Sequence, residues 1–210
     1  MTTMDEKYSD GSDCISCQKC GFCISCGDCR CGKTNPKIMI LNGYPRSGKD
    51  SFASFMIDEL FGLRHLQGNV VSSVDNVKWA AEILGWDGKK NEHGRNALSA
   101  LKDFSSKWFD GPYQMMKDYV KGLSEDEVVI FMIREPEEIE RFVKEFPETV
   151  TIFIERENCE TASNHADSEV ENFLYNFYIT NNGTLENLEN SARGLIEYLY
   201  MEKKKCLEEK

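Results

Sequence analysis

An α/β fold with a doubly wound, mostly parallel sheet of five strands is what this sequence predicts, and three observations carry that expectation. Short apolar runs alternate along the chain with segments whose apolar residues recur at helical spacing. Two of the runs, 127–133 and 149–154, are apolar almost throughout, as strands covered on both faces are. The first run passes through a glycine-bounded loop straight into an amphipathic segment. Strand–helix alternation of this kind implies parallel neighbours joined by right-handed crossovers.

The first strand is Lys37-Ile38-Met39-Ile40-Leu41, and it stops at Gly43. Phe52, Ala53, Met56, Ile57 and Leu60 then give a helix directly after the loop. Residues 69–73 (NVVSS) form a short second strand. Val77, Ala80, Ala81 and Leu84 place a helix over 75–85, with Asp75 near its start, and Gly85-Trp86-Asp87-Gly88 breaks it. A polar stretch leads to a third helix whose apolar face is expected to hold Ala97, Leu98, Leu101, Phe104 and Trp108. Arg95 and Lys102, seven apart, share a face of that helix. Gly111-Pro112 ends it, and a short helix runs from Tyr113 to Val120. The strand 127–133 ends in Arg134-Glu135-Pro136, with Pro136 opening a helix that carries Ile139, Phe142, Val143 and Phe146. The strand 149–154 leads into Glu155-Arg156-Glu157. Residues 157–170 are polar and aperiodic, a candidate mobile lid. Residues 176–180 supply the fifth strand, closed by Asn181-Asn182-Gly183. Thr184 then caps a final helix containing Leu185, Leu188, Leu195, Leu199 and Tyr200.

Gly43-Tyr44-Pro45-Arg46-Ser47-Gly48-Lys49-Asp50 has the spacing G-x-x-x-x-G-K between strand and helix, the phosphate-binding loop pattern. Its chemistry follows from backbone geometry. Glycines let N–H groups curl around phosphate oxygens, the helix start adds partial positive charge, and Lys49 reaches the β- and γ-phosphates. Gly43, Ser47, Gly48 and Lys49 are therefore expected to hold a nucleotide. After Lys49 the pattern ordinarily has Ser or Thr to carry Mg²⁺. Here Asp50 stands in that place and Ser51 follows, and either could hold the ion. No aspartate of the usual second metal-ordering kind ends a strand; Glu135 and Asp75 are the substitutes on offer.

A formal net charge of −11 argues against a nucleic-acid partner, because phosphate backbones demand basic surfaces. A small anionic substrate is compatible with it, since a few local arginines outweigh a global charge. No apolar stretch approaches membrane-spanning length, and Met1-Thr2-Thr3-Met4-Asp5-Glu6 lacks a signal-peptide apolar region. The expectation is a cytoplasmic protein, in a host's cytoplasm if the source is viral, with homodimerisation left open.

Ahead of the loop lies a different composition. Cys14, Cys17, Cys20, Cys23, Cys26, Cys29 and Cys31 crowd into one stretch, six of them at every third position. The sequence divides into a cysteine-rich segment, 1–36, and an α/β domain, 37–210. The segment is too short and too poor in large apolar groups for a core of its own. In a reducing compartment C-x-x-C runs point to metal, either Zn²⁺ or an iron–sulfur cluster. Neither the zinc-ribbon nor the ferredoxin spacing is met. A stacked or disulfide-linked coil and a disordered tail are the alternatives. Cys159 and Cys206 stand alone and read as structural or incidental.

Several stretches together resemble the bacteriophage-type deoxynucleoside monophosphate kinases, relatives of the adenylate and thymidylate kinases. They are the 43–50 loop, 77–88 (VKWAAEILGWDG), 94–102 (GRNALSALK), 133–139 (IREPEEI) and 179–188 (ITNNGTLENL). The resemblance spans roughly residues 37 to 200, and the Asp after the loop lysine is itself a feature of that family. It implies ATP- and Mg²⁺-dependent phosphorylation of a nucleoside monophosphate, chemistry that needs positioning and cations more than covalent help. Lys49 and the loop backbone would hold the ATP phosphates. Arg46, Arg134 and Arg156 would stabilise the transferred phosphoryl group, and Asn181 would lie near the adenine. Arg95, Lys102, Arg134 and Asp75 would serve the monophosphate substrate. Two other readings stand beside this one: a kinase for another small phosphorylated acceptor, and a nucleotide-binding or metal-sensing protein whose kinase core has degraded.

Overall fold

The computed structural model describes residues 15–17, 35–89, 91–157 and 172–200. All five expected strands are present and parallel to one another: β2 (Ile38–Gly43), β3 (Gln67–Ser72), β4 (Glu127–Met132), β5 (Val150–Glu155) and β6 (Phe177–Thr180). The sheet nevertheless has six strands. The sixth, β1 (Ile15–Cys17), comes from the cysteine-rich stretch and pairs antiparallel with β6, giving the order β1-β6-β5-β2-β4-β3. Three residues are too few to show a period, so only the bare hydrogen-bonding edge of β6 accounts for a strand here. Cys14, Cys20, Cys23, Cys26, Cys29 and Cys31 lie outside the described residues, as do Cys159, Cys206 and almost all of the expected lid.

Helices cover both faces, which is why the central strands are apolar on most of their residues. One face buries Met39, Leu41, Val128, Ile130, Ile152 and Ile154 under α1 (Lys49–Arg64) and the last helix, α6 (Leu185–Tyr200). The other buries Ile38, Ile40, Val129, Phe131 and Phe153 under α4 (Gly111–Lys121) and α5 (Pro136–Glu145). Side chains alternate along each strand, so the parity of the residue number decides the layer. The start of α6 shows the cap that Thr184 predicts. The backbone N–H of Asn187 donates to Thr184 Oγ1 at 3.2 Å, and the N–H of Thr184 donates to Asn187 Oδ1 at 2.9 Å. The two residues thereby satisfy each other's exposed amides.

Two helices stand off from this core. They are α2 (Asp75–Ile83) and α3 (Glu92–Phe109), which pack on each other and on α4. The apolar face expected on α3 is not buried: Phe104 is 53% and Trp108 66% exposed, and Gly94 is the only buried residue of the helix. Helical period alone reports which residues share a face, not whether another layer covers it. On α2, Trp79 and Ile83 are exposed too.

Candidate anion site at the carboxyl edge of the sheet

Parallel strands bring their carboxyl ends to one edge, and the register fixes what lies level there. Leu41 is opposite Met132 in β4 and Ile152 in β5, and Gly43 is opposite Ile154, which pairs in turn with Ile179. Two residues past Met132 is Arg134, and two past Ile179 is Asn181. The loop after β2, the Arg134-Glu135 corner, Glu155-Arg156 and Asn181-Asn182 therefore gather along one rim. Asp75 follows β3 on the same rim. Its carboxylate is taken up locally, accepting from the Ser72 N–H at 2.8 Å and pairing with Lys78 at 2.7 Å.

The loop between Gly43 and Lys49 is built from conformations that few residues adopt. Gly43 has φ 148°, Arg46 φ 62° and Gly48 φ 99°. A side chain at Gly43 would strike the Ile154 carbonyl and come within 2.9 Å of Ser47 Oγ; at Gly48 it would strike the Asn181 amide. Both glycines are thus required twice, by dihedral and by space. Gly48 is the N-cap of α1 and makes no side-chain cap bond, which leaves the positive end of the helix facing the loop. Ser47 is fully buried, and its hydroxyl has no hydrogen-bond partner among the described residues.

Lys49 folds back over this loop. Its ammonium donates to the carbonyls of Gly43 and Tyr44, both at 2.6 Å, so a cation sits at the mouth of the turn. Asp50 and Ser51, on the first turn of α1, are exposed to solvent. Asn181 turns inward: its side-chain amide donates to the Ser47 carbonyl at 2.7 Å, and its backbone N–H donates to Glu155 at 2.7 Å. Here Asn181 braces the loop from behind. Arg46, Arg134 and Arg156 are exposed on the rim, and Arg95 is exposed on α3.

Lys102 sits differently from Arg95, although both lie on α3. Its ammonium is ion-paired with Glu135 and lies 3.7 Å from Glu138, joining α3 to the junction between β4 and α5. Among the described residues, the second carboxylate oxygens of Glu135 and Glu138 are buried without hydrogen-bond partners. Burial pushes Glu138 up to about 7, and the neighbouring Glu135 charge adds to this against the pull of Lys102. Burial also opposes ionisation of Glu135, but the Lys102 charge and hydrogen bond outweigh it and hold that carboxyl below its ordinary value. One lysine thus keeps one of the two carboxylates charged while the other takes up a proton near neutrality.

Sequence reasoning missed two residues of this rim. Asn42 is fully buried at the end of β2, where a polar residue has to be fully hydrogen-bonded. Glu138 was hidden among the six acidic residues of one helix and its flanks, 135–148. For Asn42 the signal was present, a lone amide closing a run of β-formers. A cavity of about 310 Å³ opens at the other edge of the sheet, between Lys37, Arg64, Glu127 and Tyr200, away from the rim.

No protein-family description matches the chain, and no curated protein matches it. Among solved structures, a sugar kinase from Janibacter sp. HTCC2649, crystallised without ligand, superposes with a TM-score of 0.35 at 13% identity. The match covers 75% of this chain and 92% of that one. So loose a superposition leaves the argument with the loop itself. Among the described residues no group of three or more metal-ligating side chains converges, and no helix is long and apolar enough to cross a membrane.

Proposed function

We propose that this protein is a kinase that transfers the γ-phosphoryl group of ATP to a nucleoside monophosphate. The single observation carrying this reading is the 43–49 loop. It is a turn with two obligatory glycines, ahead of an uncapped helix start, with a lysine ammonium held at its mouth by two carbonyls. In this reading the loop backbone, the helix start and the ammonium serve one ligand, and a phosphate chain is the ligand that satisfies all three. The orphaned, buried Ser47 hydroxyl lies against the same turn and fits an oxygen-rich ligand.

In this reading Lys49 exchanges the Gly43 and Tyr44 carbonyls for the β- and γ-phosphate oxygens. The loop backbone orients the nucleotide so that its terminal phosphorus faces the rim. Arg134, level with the loop on the next strand, sits between donor and acceptor phosphates and opposes the charge spread over the transferred group. Arg46 and Arg156 add positive charge from either side. Arg95 on the outlying helix binds the acceptor's phosphate, while Lys102, held by Glu135 and Glu138, fixes that helix to the strand end. Asp50 and Ser51 offer hard oxygen ligands suited to Mg²⁺, which neutralises phosphate charge when bound. The resemblance of residues 37–200 to the monophosphate kinases favours a nucleotide acceptor over other small phosphorylated molecules. Positioning and charge are all that such a transfer demands of the protein.

The test is release of ADP from ATP and Mg²⁺ in the presence of dAMP, dGMP, dCMP, dTMP and the four ribonucleotides. Turnover that depends on one or more acceptors is expected. Protein that binds ATP yet turns over with none of them overturns the nucleotide acceptor.

A further inference from the structure

At the end of β2, Asn42 makes three side-chain hydrogen bonds, to three separate pieces of the chain. Its Oδ1 accepts the N–H of Gly43 at 2.8 Å. Its Nδ2 donates to the carbonyl of Arg134 at 3.1 Å and to the hydroxyl of Tyr175 at 2.8 Å. Asn42 is fully buried and Tyr175 is 1% exposed. Burial holds the Tyr175 phenol above its ordinary range, so it meets Asn42 as a neutral hydroxyl. Within the sheet, β2 and β4 are tied by backbone bonds as far as the Leu41–Met132 level. Beyond that level both chains turn away, one into the loop and the other into the Arg134 corner. The Asn42 amide is the bond that continues the tie past the last ladder rung.

We propose that Asn42 is a positioning residue for phosphoryl transfer, fixing Arg134 at a set distance from the first glycine of the phosphate loop. This rests on the kinase reading above. The amide is chemically specific for the task. Gly43 presents a donor while Arg134 presents an acceptor, and only a side chain with both an oxygen and an N–H at one branch point answers them together. Aspartate has the same shape but no N–H. At position 42 it would still accept from Gly43 and from the Tyr175 hydroxyl, while setting a second acceptor against the Arg134 carbonyl. Serine would reach Gly43 and stop short of Arg134.

The experiment compares the wild-type protein with Asn42→Asp, Asn42→Ser and Tyr175→Phe, all in the full chain. ATP affinity and stoichiometry are measured by calorimetry, and steady-state rates are expressed per ATP-binding site. For Asn42→Asp and Asn42→Ser the expected result is a fall in kcat of about 10–100-fold with a raised acceptor KM, since a misplacement near 1 Å costs about that much. ATP affinity should stay within about threefold, because the Gly43 bond survives in both. Serine, which buries no charge, keeps the test valid if the aspartate protein does not fold. Tyr175→Phe retains the Arg134 tie and is expected to lower the melting temperature more than the rate. The proposal is overturned if both Asn42 variants keep the wild-type kcat and acceptor KM. It is equally overturned if Tyr175→Phe loses as much rate per site as Asn42→Ser, which marks a packing role. Wild-type protein that binds ATP but shows no acceptor-dependent turnover overturns the nucleotide acceptor and this inference with it.

Discussion

At Gly48 a single hydrogen atom separates a working loop from a blocked one. A methyl group there is strained by φ 99° and pushes into the Asn181 amide that holds the Ser47 carbonyl. Gly48→Ala should therefore cost roughly 1–3 kcal/mol of stability, seen in urea unfolding, and should weaken ATP binding at least as much as it destabilises the fold. Tight ATP binding by a folded Gly48→Ala protein would contradict the role given to this turn. Lys49 makes the complementary case. It is half-buried and satisfied by two loop carbonyls, so Lys49→Ala should leave the circular dichroism spectrum unchanged. Turnover should drop by about 10²–10³-fold, the usual loss when one preorganised donor to developing charge is removed. Rates equal to wild type in that variant would take Lys49 out of the site. Both residues were legible in the sequence, because the glycine spacing and the lysine are a local pattern. Asn42 stands out in the sequence as a lone amide after a run of β-formers, but its task does not, because its partners lie 92 and 133 residues away.

Between elements, the Lys102–Glu135–Glu138 cluster is the joint that fixes α3 to the strand carrying Arg134, and it makes stability depend on pH. Glu138 has a folded-state pKa raised to about 7 from an ordinary 4.5, with burial as the first cause. A raised value means that its contribution is fully present below about pH 4.5 and is lost as pH rises through about 7. Glu135 is shifted the other way, so its contribution is present above its unfolded value and lost as pH falls. Glu138→Gln should remove the first slope alone. Thermal melts of that variant and of wild type should then diverge between pH 5 and 8, by roughly 1–3 kcal/mol at the upper end. Parallel curves across that range would show that Glu138 does not titrate there. Nothing in the sequence announced this joint. Arg95 and Lys102 share a helical face by period, yet one lies in solvent and the other between two carboxylates. What divides them is which one meets the Glu135–Glu138 junction, a tertiary fact. The same helix shows the limit from the apolar side, since Phe104 and Trp108 have the period of a core face and no layer above them. By contrast β4 and β5 read correctly because burial on both sides writes itself as nearly unbroken apolar sequence, and Thr184 read correctly because a cap is a local bond.

Across the whole molecule, the parallel sheet ends at β6, and β1 closes that side with an antiparallel strand of three residues. An uncovered strand edge invites pairing with another chain. Removing residues 1–34 should therefore increase self-association, detected as concentration-dependent light scattering, while leaving the 43–49 loop able to bind ATP. A monodisperse truncated protein at every concentration would show that β6 needs no cover. The pairing also has a consequence in time. Ile15 meets Ile179, so β1 leaves the ribosome long before its partner strand does. At about 5–20 residues per second that delay is on the order of 10–30 s. Throughout this interval the Ile15–Cys17 backbone has no strand to pair with, because the sheet edge that receives it does not yet exist.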